Sequence, residues 1–337
     1  EETEMMQSVV LARRPEGNPL ETDFKVVETP LPLVTEGTFL TKNHFISLDA
    51  GFRNWMNEDS GDEVLPAMAL NEPVMGLVLG EVIESQHPDY SPGTLMMARF
   101  AWQTHSFSDG TDFIARLPNT LEFTPSAYLG VLGDTGMSAY FGLTDIGKPT
   151  ANDCVLISGA GGAVGSIAGQ IAKRSGSRVV GIVGSQEKAD WICQALGYDA
   201  AVVRDGAESL ERAIKHACPE GVDVFFDNVG GRILEAAISA MNHKGRMVLC
   251  GAVSGYGVTP YGPNNLFDII TKELKVEGFM THFRHDRYEE ARNQLSQWLR
   301  EGVIQTPEYR LDGIENVGKG FAGLFAGRNF GKTVVAV

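Results

Sequence analysis

The stretch Val155–Lys188 constrains this chain more than any other. It reads Val-Leu-Ile-Ser-Gly-Ala-Gly-Gly-Ala-Val-Gly, continues through an amphipathic run to Arg178-Val-Val-Gly-Ile-Val183, and turns at Gly184-Ser-Gln-Glu-Lys188. Unbroken apolar residues suit a strand buried on both faces, and the glycines suit a tight turn that opens a helix. Such a strand–turn–helix–strand unit cradles a dinucleotide pyrophosphate. Glycines at 159, 162 and 165 let the backbone approach the phosphates, while the helix N-terminus supplies N–H groups and the positive end of its dipole. In a chain with 39 glycines, the spacing counts because a strand precedes it and a helix follows. Gly161, Gly162, Ala163, Val164 and Gly165 are therefore candidate cofactor contacts.

The second strand selects the cofactor. A site for NAD usually carries Asp or Glu about 20 residues past the glycines, where it holds the ribose 2′-hydroxyl. Here that point is Gly184-Ser185, with no carboxylate. Ser185 offers a hydroxyl and Lys188 a cation, and Arg204, after the next predicted strand, can reach the same corner. Cations without a carboxylate fit a 2′-phosphate, so the expected cofactor is NADP(H), with Glu187 facing solvent. The alternative is that Lys188 and Arg204 are ordinary surface charges.

At 337 residues the chain exceeds the usual single core, and two domains are expected. A net charge of −15 argues against a nucleic-acid face, which needs clustered basic residues. No 18-residue apolar run marks a transmembrane helix. The opening Glu1-Glu-Thr-Glu-Met-Met lacks the basic region and apolar core of a signal peptide. Four cysteines (154, 193, 218, 250) show no paired spacing and read as thiols of a reducing cytoplasm.

From about residue 5 to 130 the pattern is β-rich, with runs at Ser8–Ala12, Phe24–Glu28, Thr38–Ile46, Val74–Glu84 and Thr94–Phe100. Beyond it, strands alternate with helices, the mark of a parallel sheet. Predicted strands are Cys154–Ser158, Arg178–Val183, Ala200–Val203, Val222–Asp227, Arg246–Cys250 and Lys275–Phe279. Predicted helices are Val164–Ser175, Gln186–Leu196, Glu208–His216, Arg232–Met241, Pro263–Lys272 and Asp286–Glu301. Strand character returns at Gln305–Tyr309 and Thr333–Val337. The expected division is a β-rich substrate domain over 1–130, a nucleotide-binding domain over 131–300, and a return of 301–337 to the first domain, with the cofactor in the cleft between.

This layout resembles the medium-chain dehydrogenase/reductase superfamily, and within it the zinc-free prostaglandin/leukotriene reductases, plant double-bond reductases and bacterial curcumin reductases. The resemblance runs nearly end to end: Asn43-His-Phe-Ile-Ser-Leu-Asp49, Gly76-Leu-Val-Leu-Gly-Glu81, Thr135-Gly-Met-Ser-Ala-Tyr140, Gly161-Gly-Ala-Val-Gly165, Gly184-Ser-Gln-Glu-Lys188, Asp227-Asn-Val-Gly-Gly231, Gly262-Pro-Asn-Asn-Leu266 and Asn329-Phe-Gly-Lys332. It implies an α/β fold, a doubly wound six-stranded Rossmann domain plus a β-rich GroES-like domain. It also implies that Asn228 and Gly230 lie along the cofactor ribose, that Cys250-Gly251 borders the nicotinamide, and that Ser138 stands near the carboxamide in place of a family Thr. Asn329 would match a C-terminal cofactor contact, and Ser254 a contact in the loop after the fifth strand. Gly230 and Gly251 can equally be plain turns, and Asn228 a helix cap.

Residue types speak against zinc. Catalytic zinc takes three protein ligands, commonly Cys and His. The first domain has no cysteine, only His44, His87 and His105, and Met75-Gly76-Leu77 stands where zinc-dependent relatives carry Gly-His-Glu. Without a Lewis acid to hold an alkoxide, alcohol oxidation is disfavoured. The expected reaction is hydride addition to the β-carbon of an α,β-unsaturated ketone or aldehyde. Tyr256, in Val253-Ser-Gly-Tyr-Gly257, is the candidate stabiliser of the enolate, because a phenol donates a hydrogen bond at neutral pH; alternatively it only packs on the cofactor. A quinone reductase and a non-catalytic NADPH-sensing protein are the competing functions. Lys275–Phe279 as a sheet edge suggests a homodimer.

Three positions depart from the resembled pattern. Gly133-Asp134-Thr135-Gly136 replaces Gly-Met-Pro-Gly. Asp49-Ala50-Gly51-Phe52-Arg53 replaces Asp-Pro-Tyr-Met-Arg. Val203-Arg204 replaces an Asn-Tyr.

Overall fold

A computed structural model describes residues 2–337. The chain forms two compact units: one from the N-terminus to Gly133 with 308–328 and 333–337, the other 134–307 with 329–332.

The first unit opens with β1 (Met5–Leu11) and β2 (Phe24–Pro30), an antiparallel pair in which Val9 faces Val26. β3 (Phe39–Ser47), β4 (Leu77–Ser85), β5 (Leu95–Ala98), β6 (His105–Ser108) and β7 (Ile114–Arg116) follow. β3 pairs antiparallel with β4 through two register shifts, and also with β6, while β4 runs on to β5 and β5 to β7. The strand expected from Val74 begins at Leu77, because Gly76 passes close under Trp102. A Cβ there would lie 2.5 Å from the indole nitrogen.

The second unit starts with α1 (Asp134–Phe141), which runs into a π-helical turn, Gly142–Gly147. Then β8 (Cys154–Ile157), α2 (Ala163–Arg174), β9 (Arg178–Val183), α3 (Gln186–Leu196), β10 (Ala200–Val203), α4 (Leu210–Ala217), β11 (Val222–Asp227), α5 (Gly231–Ala240), β12 (Met241–Leu249), α6 (Leu266–Thr271), β13 (Lys275–Gly278) and α7 (Tyr288–Arg300) alternate as expected. The sheet order is β10-β9-β8-β11-β12-β13, and every neighbouring pair is parallel. The order reverses between β8 and β11, so the carboxyl ends of these two strands frame the crevice where such sheets take ligands. Small residues set how closely α2 lies on the sheet. A Cβ at Gly169 would fall 2.2 Å from the Tyr198 ring, and one at Gly181 2.6 Å from Ile192. The buried Tyr198 hydroxyl donates to the Gly165 carbonyl at 2.7 Å.

β14 (Glu308–Asp312), α8 (Val317–Phe325) and β15 (Lys332–Ala336) close the chain. β15 pairs antiparallel with β3 and extends that sheet to seven strands in the order β14-β15-β3-β4-β5-β7, with β6 at its side. Phe321 of α8 packs against Trp102 and Phe24, with ring centroids at 5.2 and 5.7 Å. Asn329–Lys332 falls in the second unit, within the 301–337 span expected to rejoin the first domain.

Two helices lie outside the expected set. α1 with its π turn contains Gly136, Gly142 and Gly147, and α8 contains Gly318, Gly320 and Gly323; glycine costs about 1 kcal/mol per helical position relative to alanine. Packing overrides the penalty. A Cβ at Gly142 would meet Phe226 at 2.6 Å, and one at Gly320 would meet Leu48 and Leu311 at 2.7 Å. The helix expected over Pro263–Lys272 shrinks to α6, and the strand expected at Arg246 begins at Met241.

Overfilling the Tyr198 contact is expected to be costly. Gly169→Ala should lower unfolding stability by about 1–3 kcal/mol, seen as a lower denaturant midpoint at unchanged slope. Gly51→Ala, with nothing within 4 Å of the added Cβ, should leave the midpoint where it is.

Candidate active site

The glycine turn joins β8 to α2. Gly159 has φ +57°, and Gly162 begins the helix with no side-chain cap. The first turn of α2 carries no acidic residue, so its N–H groups and dipole face the crevice without a competing anion. At Gly165 a Cβ would sit 2.2 Å from the Gly159 carbonyl oxygen. The turn therefore tolerates only a bare α-carbon there.

β9 ends at the cation corner. The Lys188 stem lies along the turn, its Cδ 3.2 Å from where a Cβ on Gly161 would be. Its ammonium stands 5.6 Å from the centroid of the Phe330 ring. Burial and the neighbouring positive charge of Arg204 hold Lys188 below the ordinary lysine range, with Glu187 opposing. Arg204 pairs with Asp205 at 3.2 Å in an exposed contact, and its Nη2 lies 3.6 Å from a Cβ position on Gly184. Two cations thus share one corner, close enough for Arg204 to lower the Lys188 pKa. Ser185, a candidate phosphate contact, accepts the Lys188 backbone N–H at 3.2 Å and caps α3; its own O–H stays available to donate.

The end of β11 is organised by Asp227, which is buried. Its carboxylate accepts the Ser158 hydroxyl at 2.7 Å and the backbone N–H groups of Val229 and Gly230 at 2.9 and 3.0 Å. Burial pushes its pKa up against the pull of those donors. Asn228 donates through its side-chain amide to the Ser158 carbonyl at 2.9 Å. Ser254 donates to the Val229 carbonyl at 2.6 Å. Gly230 and Gly231 both have positive φ, and a Cβ on Gly231 would press within 2.8 Å of the Ser254 hydroxyl. Asn228, Gly230 and Ser254 are thereby brought into one rigid turn, though two of their polar side chains serve backbone groups.

Past β12, the Tyr256 phenol folds back over its own loop. Its oxygen accepts the Ala252 N–H at 3.0 Å and lies 3.3 Å from a Cβ position on Gly251. Cys250 is in hydrogen-bond contact with Ser138; burial and Asp134 push its thiol up to about 12, with Ser138 working the other way. Ser138 also donates to the Asp134 carbonyl at 3.0 Å. Tyr256, Gly251, Cys250 and Ser138 therefore adjoin in pairs.

Asn329 turns inward, its amide donating to the Gly331 carbonyl at 2.9 Å. The Gly331 N–H in turn donates to the Gly161 carbonyl at 2.8 Å. The C-terminal segment so borders the glycine turn, and with it comes Phe330, which the sequence reading did not single out. Asp227 as an organising group was missed too; a carboxylate followed at once by backbone donors in a Gly-Gly turn was the available signal.

The departures have structural uses. Asp134 accepts the Tyr288 hydroxyl at 3.0 Å and that of Thr281, tying the start of α1 to the start of α7 and the segment before it. Arg53, which the resembled pattern shares, is buried, donating to the Gly17 and Pro15 carbonyls at 3.0 Å and to Asn57 at 2.8 Å.

Comparison with known proteins extends these observations. Residues 7–115 match a family described as the N-terminal domain of oxidoreductase, and residues 163–297 one described as zinc-binding dehydrogenase. The chain is 35% identical over 336 residues to the NADPH-dependent curcumin reductase of Escherichia coli, covering 97% of this chain and 96% of that protein. It is 38% identical over 327 residues to prostaglandin reductase 1 of Bos taurus, covering 95% of each. The crystal structure of CurA from Vibrio vulnificus in complex with NADPH matches it with a TM-score of 0.91 at 34% identity, over 98% of this chain and 99% of that one. Among the described residues no group of three His, Cys, Asp or Glu is placed to hold a metal ion, so they do not fit the zinc of the second family's description. NADP(H) is the cofactor: the curcumin reductase is named for it and the CurA structure contains it. The paired cations and uncapped glycine turn fit its charge.

Removing the Lys188 ammonium is expected to weaken NADPH binding by about tenfold or more, the worth of a charge-assisted contact, with NADH binding little changed. Titration of both coenzymes checks this. Because Lys188 titrates below the usual lysine range, the preference for NADPH should fade with rising pH sooner than an ordinary lysine would allow.

Proposed function

The chain belongs to the medium-chain dehydrogenase/reductase superfamily, alongside curcumin and prostaglandin reductases, and from this we propose that it reduces the carbon–carbon double bond of α,β-unsaturated ketones or aldehydes with NADPH. The observation that carries the reading is its near full-length similarity to two reductases, combined with a crevice whose phenol adjoins Gly251. Curcumin is itself a conjugated enone.

In this reading each group has a task. The turn Gly161–Gly165 and the N-terminus of α2 hold the pyrophosphate. Lys188, Arg204 and the Ser185 hydroxyl grip the 2′-phosphate. The turn built by Asp227, with Asn228, Gly230 and Ser254, supports the ribose, and Ser138, Cys250, Gly251 and Asn329 border the nicotinamide end. When bound, NADPH supplies the hydride that adds to the substrate's β-carbon. Tyr256 donates its phenolic hydrogen to the substrate carbonyl oxygen. The bond strengthens as negative charge gathers there, so it stabilises the enolate more than the ketone. Its oxygen already accepts the Ala252 N–H, which orients the phenol. Water delivers the proton to the α-carbon.

The cytoplasm suits this assignment, since all four cysteines are free thiols. A second copy of the chain is the proposed partner. β13 ends the six-stranded sheet with all four residues exposed, and such an edge is protected when a two-fold mate pairs with it. Sedimentation should give twice the mass of one chain; the single-chain mass would contradict the pairing.

Turnover of NADPH with a panel of enones, alkenals and quinones tests the activity. Enones and alkenals should be consumed with loss of the conjugated double bond, whereas oxidation of NADPH by quinones alone would overturn the assignment. Tyr256→Phe should lower kcat on the order of 100-fold at little change in NADPH affinity, and undiminished turnover would remove Tyr256 from the mechanism.

A further inference from the structure

The Lys188 ammonium is half-buried yet has an aromatic ring for a neighbour where a carboxylate would be expected. That ring belongs to Phe330, whose centroid lies 5.6 Å from Nζ. Its position is fixed from three sides. The Gly331 N–H donates to the Gly161 carbonyl at 2.8 Å, locking the segment to the glycine turn. The Asn329 amide closes on the Gly331 carbonyl at 2.9 Å. Trp191, on α3 one turn beyond Lys188, meets the Phe330 ring edge to face at 5.3 Å and 84°. Gly331 itself has φ +78°, and a Cβ there would strike the Pro307 carbonyl at 2.4 Å. The backbone that carries Phe330 therefore has no slack.

An ion pair at this place would neutralise Lys188 and compete with an incoming phosphate. A ring face attracts the ammonium through its quadrupole without contributing an anion. It also sets the long, flexible lysine stem against Gly161, so less side-chain freedom is lost when a phosphate arrives. We propose that Phe330, wedged by Trp191, is a specificity-determining positioning residue: it holds Lys188 charged and pointed at the corner that takes the 2′-phosphate, and so sets the preference for NADPH over NADH. This rests on the reading of Lys188 as a 2′-phosphate contact. It adds that the discrimination is built jointly by α3 and by a segment more than a hundred residues further along the chain.

The test is equilibrium binding of NADPH and NADH to the full chain, followed by fluorescence titration, for Phe330→Met, Phe330→Tyr, Lys188→Ala and the double variant Phe330→Met/Lys188→Ala. Methionine keeps the apolar bulk and removes the π face, so the fold should hold; tyrosine keeps the face. Phe330→Met should reduce the NADPH-to-NADH affinity ratio about threefold, the worth of one partly exposed cation–π contact, while leaving NADH affinity unchanged. Phe330→Tyr should keep the parental ratio. In the Lys188→Ala background, Phe330→Met should have no further effect on the ratio. The proposal is overturned if Phe330→Met weakens both coenzymes equally, if the ratio does not move, or if the effect persists without Lys188. A Lys188→Ala variant with the parental ratio would instead bring down the 2′-phosphate reading itself, and this inference with it.

Discussion

The carbonyl oxygen of Gly159 occupies the space where a side chain at residue 165 would have to be, only 2.2 Å from the Cβ position. That close approach bends the chain straight from β8 into α2 and aims the first N–H groups of the helix at the switch point of the sheet. Further along, bare α-carbons at Gly169 and Gly181 let Tyr198 wedge between helix and sheet. Its hydroxyl, completely buried, satisfies the Gly165 carbonyl. One tyrosine thus holds the turn from beneath, while Gly331 holds it from the side through the Gly161 carbonyl. The anion-binding property belongs to the backbone, and these two supports keep the backbone in place.

Much of this was readable in advance, for a definite reason. The central strands β8, β9 and β11 are short runs dominated by buried apolar residues, and the turn between β8 and its helix is written in glycine, so pattern and chemistry agreed there. α1 and α8 were not readable. Their glycines lower helix propensity, and what stabilises them is a close fit to residues outside the helices, Phe226 and Leu48 among them far away in sequence. Helix propensity is a local quantity and could not register such contacts.

The site shows the same division at finer scale. Lys188, Arg204, Tyr256 and Gly165 could be named as candidates from residue type and position. Directions of hydrogen bonds could not. Asn228 and Ser254 could be named as candidates, but that their polar groups serve the Ser158 and Val229 carbonyls depends on two loops meeting. Asp227 accepts the Val229 and Gly230 N–H groups within its own turn, a local feature that its Gly-Gly neighbourhood signalled, while the Ser158 hydroxyl reaches it from the end of β8. Phe330 lies far beyond its lysine in the sequence, and no spacing rule connects the two.

Charge placement divides the second unit along the same line. Where Asp134 replaces an apolar residue of the resembled pattern, its carboxylate is taken up by the hydroxyls of Tyr288 and Thr281; nearby, Asp145 is held by Arg284 and Arg287. These charges are consumed in joining α1 and its π turn to the segment leading into α7. At the end of β9 the opposite holds. Lys188 and Arg204 repel one another, Arg204 has only an exposed partner in Asp205, and Lys188 rests on a ring. Replacing the phenol of the resembled pattern by the Arg204 guanidinium raises that local positive charge and adds planar, multiply donating geometry suited to a phosphate. In a chain of net charge −15, this corner sets two cations side by side, with the exposed Asp205 paired to Arg204. The Asp134 and Asp145 carboxylates are paired in joining elements, whereas the Lys188 ammonium lies beside a ring.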